Sequence, residues 1–251
     1  MNNLILCEGF DDVFIIGYYL FKTGKWIFEP SGMFSDLYSF PKVNYKNQVI
    51  EVYKKGCDSL AIWCVGGKDS FDKPFDFLKK INDNHPEEGI QQLFIFSDRD
   101  NCEIEDCLSV IQSKMNSNGM NIAKLKNNQV NIFNFEEEGE NYKVNIIPII
   151  IPFDEVGALE TVLMNAIEET GEEEKFIVGE AKRYVEELCG SSQLKKYLQH
   201  NRQILKAKFS SCISITNPDK STTLFNSLLM SCPWEEKESI KRHFGILNKF
   251  L

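Results

Sequence analysis

Acidic residues recur in this sequence where short apolar runs stop. Glu8, in Glu8-Gly9-Phe10-Asp11-Asp12, follows the run 4–7; Asp98-Arg99-Asp100 follows 93–97; Asp154, Glu155 and Glu160 follow 145–151. Brief apolar runs bounded by glycine and polar residues have the form of buried strands. In an open parallel sheet the loops beyond the strands converge on one edge, and helix N-termini direct partial positive charge at it. Carboxylates meeting there repel one another unless a cation sits among them. Hard oxygen donors select Mg²⁺ or Mn²⁺, and Mg²⁺ commonly takes only one or two protein carboxylates, with waters and phosphate oxygens completing its shell. Asp98 and Asp100, one residue apart at a strand end, can turn toward one ion, which leaves Glu8 for proton transfer or a second metal.

Each of these acids also has an ordinary structural reading. Glu8 can be a buried acid satisfied by backbone amides. Asp11 and Asp12 compete to cap the helix that starts beside them. Glu160 falls in a helix and can face solvent.

The elements that must position these residues alternate strand with helix, the pattern of a parallel sheet covered on both faces. The sequence predicts strands at 4–7, 60–65, 93–97 and 145–151, about four in a mainly parallel sheet. Helices are predicted from Asp11 or Asp12 through 21, over 47–55, 70–82 and 104–115, with a hairpin at 130–135 and 142 onward. The acidic tip 136–140 reads as a solvated turn. From residue 155 the chain reads as helical at 155–168, 173–189, 193–209, 220–230 and 235–249. The expected organisation is a metal-binding α/β core over 1–170 and a helical C-terminal subdomain over 171–251.

Composition narrows the classes. A hydrophobic fraction of 43% with 12% aromatics belongs to a folded chain rather than a disordered one. The longest apolar run, 146–153, is strand-sized, so no membrane association is expected. The opening residues lack the basic start and long apolar centre of an export signal, so the expected location is cytoplasmic. Eight cysteines include no Cys-x-x-Cys pair and read as ordinary thiols. A net charge of −9 argues against a broadly basic grip on nucleic acid. From residue 201 onward, however, eight Lys/Arg stand against four acids, so the tail is net positive.

Together the residues resemble a known family. Glu8-Gly9-Phe10-Asp11-Asp12 is similar to the Glu-Gly-x-x-Asp element of the Toprim (topoisomerase–primase) domain, and Asp98-Arg99-Asp100 to its Asp-x-Asp element. Gly66-Gly67-Lys68, the segment from Pro152 to Glu160 and Lys206-Ala207-Lys208 resemble a Gly-Gly-Lys turn, a Pro-Asp-x-x-x-Gly-x-Leu-Glu segment and a Lys-Ala-Lys helix. Those three features belong to standalone bacterial Toprim-like proteins and to the Toprim half of OLD-family nucleases. The resemblance implies a Toprim-like α/β fold. It makes Glu8 a general acid/base or metal ligand, Asp98 and Asp100 Mg²⁺ (or Mn²⁺) ligands, and Asp12 a support or further ligand. Glu160 becomes an acid near a second metal, and Lys68 with Lys206 or Lys208 holds phosphate or offsets its charge. The implied activity is Mg²⁺-dependent cleavage or transfer of phosphodiesters in DNA or RNA, in a defence or repair setting; the acidic body predicts weak unaided affinity for nucleic acid and hence a partner, such as an ATPase. The alternative is a non-catalytic module that binds a metal, a nucleotide or a partner protein. Gly66-Gly67-Lys68 lacks the pattern of a P-loop, so ATP is not expected there.

Overall fold

A computed structural model describes residues 1–34, 40, 48–84, 89–137, 140–220 and 225–251. Parts of the expectations for 47–55, 136–140 and 220–230 lie outside the described residues. The chain packs as two compact units. The first comprises Met1–Ser97, Cys102–Ile150 and Leu247–Leu251, and the second Asp98–Asn101 and Ile151–Ile246. The packing therefore divides near residue 150, while the sequence reading set its boundary near 170.

The first unit is built on strands β1 (Asn2–Cys7), β2 (Ile27–Phe28), β3 (Val49–Lys55), β4 (Asp58–Cys64), β5 (Gln92–Asp98), β6 (Asn131–Glu137) and β7 (Glu140–Ile151). Their order in one sheet is β2-β3-β4-β1-β5-β7-β6. The fold is thus α/β, with seven strands instead of about four. β1 lies parallel to β4, with Asn2 opposite Ser59, and parallel to β5, with Leu4 opposite Leu93. The additional strands are antiparallel additions at the sides: β2 and β3 beside β4, and β6 beside β7.

The predicted helix over 47–55 is a correction, because Val49–Lys55 is strand β3. Its β-branched and aromatic residues Val49, Ile50, Val52 and Tyr53 favour a pleated surface, and a tight turn at Gly56-Cys57 returns the chain with Lys55 opposite Asp58.

Alternation along the central strands sends side chains to two faces. Leu4, Leu6, Ala61, Trp63, Leu93 and Ile95 share one buried cluster with residues of two helices, α2 (Asp72–Asn84) and α3 (Ile104–Ser117). Phe75, Leu78, Leu108, Ile111 and Met115 come from those helices. Each such fully buried side chain contributes about 1.5–3 kcal/mol. Helix α1 (Phe10–Gly24) covers β4 and β3 on the other face, where Gly17 lies directly against the Tyr53 phenol. Tyr18 and Tyr19 are buried core residues. The C-terminus is tied down where the Gln92 amide donates to the Phe250 carbonyl at 2.8 Å.

The second unit is helical: α4 (Leu159–Glu168), α5 (Glu172–Cys189), α6 (Asn201–Thr216), α7 (Phe225–Leu229) and α8 (Glu238–Phe244), before α9 (Leu247–Phe250) returns to the first unit. α4 is its hub, buried along most of its length and touching α5, α6 and α8. The helix expected over 193–209 begins only at Asn201; the stretch before it is turns and bends. All eight cysteines are thiols, and no helix among the described residues is long and apolar enough to cross a membrane.

Candidate functional site

Glu8 is the residue after β1. The β4 side of that strand end is closed by backbone bonds: Val65 N–H donates to the Cys7 carbonyl at 2.8 Å and Gly66 N–H to the Glu8 carbonyl at 3.2 Å. On the β5 side, Ser97 Oγ donates to Glu8 Oε1. The neighbours of Glu8 across the sheet are thus the Gly66-Gly67 turn and Ser97, and the residue that follows Ser97 in the chain is Asp98.

Helix α1 starts immediately after Glu8. Its N-cap, Gly9, is extended and has no side chain to offer, so the Asp12 carboxylate reaches back and accepts the Gly9 N–H at 2.8 Å. With Asp11 it places negative charge on the first turn, where the helix dipole favours it. Of the two candidate caps, Asp12 is the one with this bond.

Acidity at this edge is visible in its thiols. Burial pushes Cys7 well above its ordinary pKa, and the charges of Asp12 and Glu8 add to that effect. Burial raises Cys64 to about 11, opposed by the Gly66 amide and reinforced by Asp12 and Asp11. Both shifts favour the neutral thiol over the thiolate.

Beyond β4, Gly66 and Gly67 have φ of +84° and +120°, backbone that a β-carbon disfavours. They turn the chain into a short 3₁₀ segment that begins with the half-buried Lys68.

Within the second unit, Asp98-Arg99-Asp100 is held by the chain that follows β7. Arg99 N–H donates to the Ile151 carbonyl at 2.6 Å. Asp100, at φ +55°, then exchanges two backbone hydrogen bonds with Gly157, at 2.6 and 2.7 Å. Gly157 has φ of +150°, and a β-carbon there would overlap Thr161 Oγ1, so only glycine fits. The next residue, Ala158, is the N-cap of α4 and has no side-chain acceptor. Asp98 Oδ1 replaces one, accepting the Leu159 N–H at 3.0 Å. A carboxylate in that place complements the partial positive charge of the helix N-terminus. The two segments singled out in the sequence, 98–100 and 152–160, therefore fold as one clamped loop pair.

The remaining acids have local partners. Asp154 pairs with Arg242, and Glu155 accepts from the Asn165 amide at 2.8 Å. Glu160, expected as a solvent-facing or metal-binding residue, is buried and forms an ion pair of 2.8 Å with Lys206. Lys208 points elsewhere, to Glu186 at 2.6 Å, as expected for helical positions two apart. Sequence reasoning missed Thr161 and Ser97; neither carries a signal beyond its position next to a motif. Among the described residues no group of three or more His, Cys, Asp or Glu side chains is gathered to hold a metal. The donors present at the strand ends are carboxylate and hydroxyl oxygens, the set suited to Mg²⁺ with most of its shell left to water.

A family model described as "Protein of unknown function (DUF3226)" matches residues 2–244. The chain belongs to this family. No curated protein matches the sequence. A similar solved structure is that of hypothetical protein PH0156 from Pyrococcus horikoshii OT3, at 16% identity and a TM-score of 0.54, covering 100% of this chain and 93% of that one. The DUF3226 chain thus shares its fold with that archaeal protein.

Proposed function

We propose that this DUF3226 protein is a cytoplasmic, Toprim-like, Mg²⁺-dependent enzyme that hydrolyses or transfers phosphodiester bonds of DNA or RNA. What supports the reading is strand order: β1 and β5 are adjacent and parallel, and the motif acids Glu8 and Asp98 belong to their carboxyl ends. Ligand sites of parallel sheets belong to that edge. A bound Mg²⁺ or Mn²⁺ would supply Lewis acidity and an activated water. Asp98 and Asp100 would hold it, with the clamp to Gly157 keeping the loop in shape. Glu8, oriented by Ser97, would take or deliver the proton. Lys68 would face the phosphate, and Lys206 would offset developing charge while pinned by Glu160. Asp12 serves the helix and supports Glu8 through the Gly9 backbone. The acidic body predicts weak unaided affinity for nucleic acid, and therefore a partner protein such as an ATPase.

A second reading has its own observation. Asp12, Asp98 and Glu160 each have a structural partner, as they would in a non-catalytic module that keeps the fold to bind a metal, a nucleotide or another protein. Incubation with plasmid, single-stranded DNA and RNA in Mg²⁺ and Mn²⁺, comparing wild type with Glu8→Gln and Asp98→Asn, separates the two. Cleavage lost in both variants supports the enzyme. Equal cleavage by wild type and variants removes it, and metal uptake without product favours the module.

A further inference from the structure

The second unit contains a pocket of about 350 Å³ beside the Asp98–Asp100 loop, lined in part by Asn101, Gly157 and one acid, Glu155, whose carboxylate accepts from the Asn165 amide. One wall is apolar, formed by Met164 of α4 and by Ile204 and Leu205 of α6. Lys182 of α5 and Lys208 of α6 line it as well. Both lysines are half-buried or more, with side chains 35% and 15% exposed, and are steadied by Glu168 and Glu186 at 2.8 and 2.6 Å. Asn101 and Asn201 add carboxamides, each a donor and an acceptor in one group.

An inorganic anion has no use for the apolar wall, and an apolar ligand has none for two lysines and two amides. A nucleotide uses all three: a flat base for the wall, edge donors and acceptors for the amides, and a phosphate for the lysines. We propose that this pocket seats one mononucleotide unit of a single-stranded nucleic acid, next to the phosphodiester that the proposed Mg²⁺ site would process. The assignment rests on the nucleic-acid reading for its biological meaning, but its chemistry needs no metal and no turnover.

The test is calorimetric titration of the full chain in EDTA with nucleoside monophosphates and, separately, inorganic phosphate. Nucleoside monophosphates are expected to bind at least about tenfold more tightly than phosphate. Lys182→Ala and Lys208→Ala are each expected to weaken them about tenfold, and Lys208→Arg to restore most of the loss. Leu205→Asp should abolish binding while thermal melts show that the variants stay folded. Asp98→Asn should bind as wild type does, which separates this site from the metal site: a protein that binds nucleotides yet cleaves nothing keeps the pocket and loses the enzyme. The proposal is overturned if nucleoside monophosphates fail to bind at millimolar concentration, if phosphate alone binds equally well, or if the lysine and leucine variants bind unchanged.

Discussion

Asp100 and Gly157 exchange both of their backbone hydrogen bonds, although fifty-six other residues lie between them in the chain. This isolated bridge fixes the second acid of Asp98-Arg99-Asp100 against the entrance to α4, whose first amide is already bonded to Asp98. The loop is held from both ends by a segment with no room for any residue but glycine at its middle. A metal-ligating loop gains from such support, because ligands fixed before binding lose less entropy when the ion arrives.

Gly157→Ala should be among the most damaging conservative changes in the second unit. The added methyl meets Thr161 Oγ1 in a backbone conformation that alanine resists, and the expected loss is about 2 kcal/mol or more. Thermal unfolding checks it; a melting temperature equal to that of wild type would contradict the clamp.

Asp98→Ala and Asp98→Asn should differ in stability and agree in metal binding. Alanine removes the acceptor for the Leu159 amide and should cost about 1 kcal/mol, whereas asparagine keeps an oxygen there and should cost less. Urea unfolding measures the first effect and Mn²⁺ titration the second. Equal stability of the two variants would mean that the capping bond is unimportant.

Lys206→Ala leaves the buried Glu160 carboxylate without the ammonium 2.8 Å away. Because the lysine side chain is substantially exposed, the cost should be modest, about 1 kcal/mol, and smaller at high salt. Glu160→Gln combined with Lys206→Ala should recover part of it. A double-mutant cycle in urea gives the coupling directly, and a coupling of zero would deny the pair any role in holding α4 to α6.

His243 gives the second unit a pH dependence of known sign. Its Nε2 accepts the Phe153 N–H at 3.1 Å, so Nδ1 carries the proton and donates to the Ser239 carbonyl at 2.6 Å. Burial, foremost, lowers its pKa below the ordinary 6.5. The folded state therefore binds fewer protons than the unfolded one just below pH 6.5. The contribution is present above that pH and is lost as pH falls through 6.5 toward the folded value. Unfolding free energies measured from pH 7.5 down to 5 should fall more steeply for wild type than for His243→Gln, and parallel curves would contradict this.

The buried centre of the fold was legible because its signals were strong. The runs before Glu8 and Asp98 are continuous apolar strands, and α1 shows its start through Asp11 and Asp12. The sides of the sheet were not. Val49-Ile50-Glu51-Val52-Tyr53 places apolar residues at i, i+1, i+3 and i+4, a spacing that a helix also shows, and only the β-branched content separates the two. The short β2 has two residues and no period at all. At the candidate site, residue types were readable but partners were not. The sequence suggested a cap at α1 without choosing between its two aspartates. It gave no means of knowing that Asp98 would serve α4, or that Glu160 would be buried against a lysine on α6, because those pairings come from tertiary packing between distant segments.

In the proposed enzyme, Glu8 and the Asp98–Asp100 pair would share divalent metal. Diffraction from crystals soaked in Mn²⁺, with anomalous data collected at the manganese edge, is the decisive test of that sharing. An anomalous peak is expected about 2.0–2.3 Å from carboxylate oxygens of Asp98 or Asp100, bonded to Glu8 directly or through one water. A protein that takes up no Mn²⁺ at these acids, or takes it up only elsewhere, would contradict it.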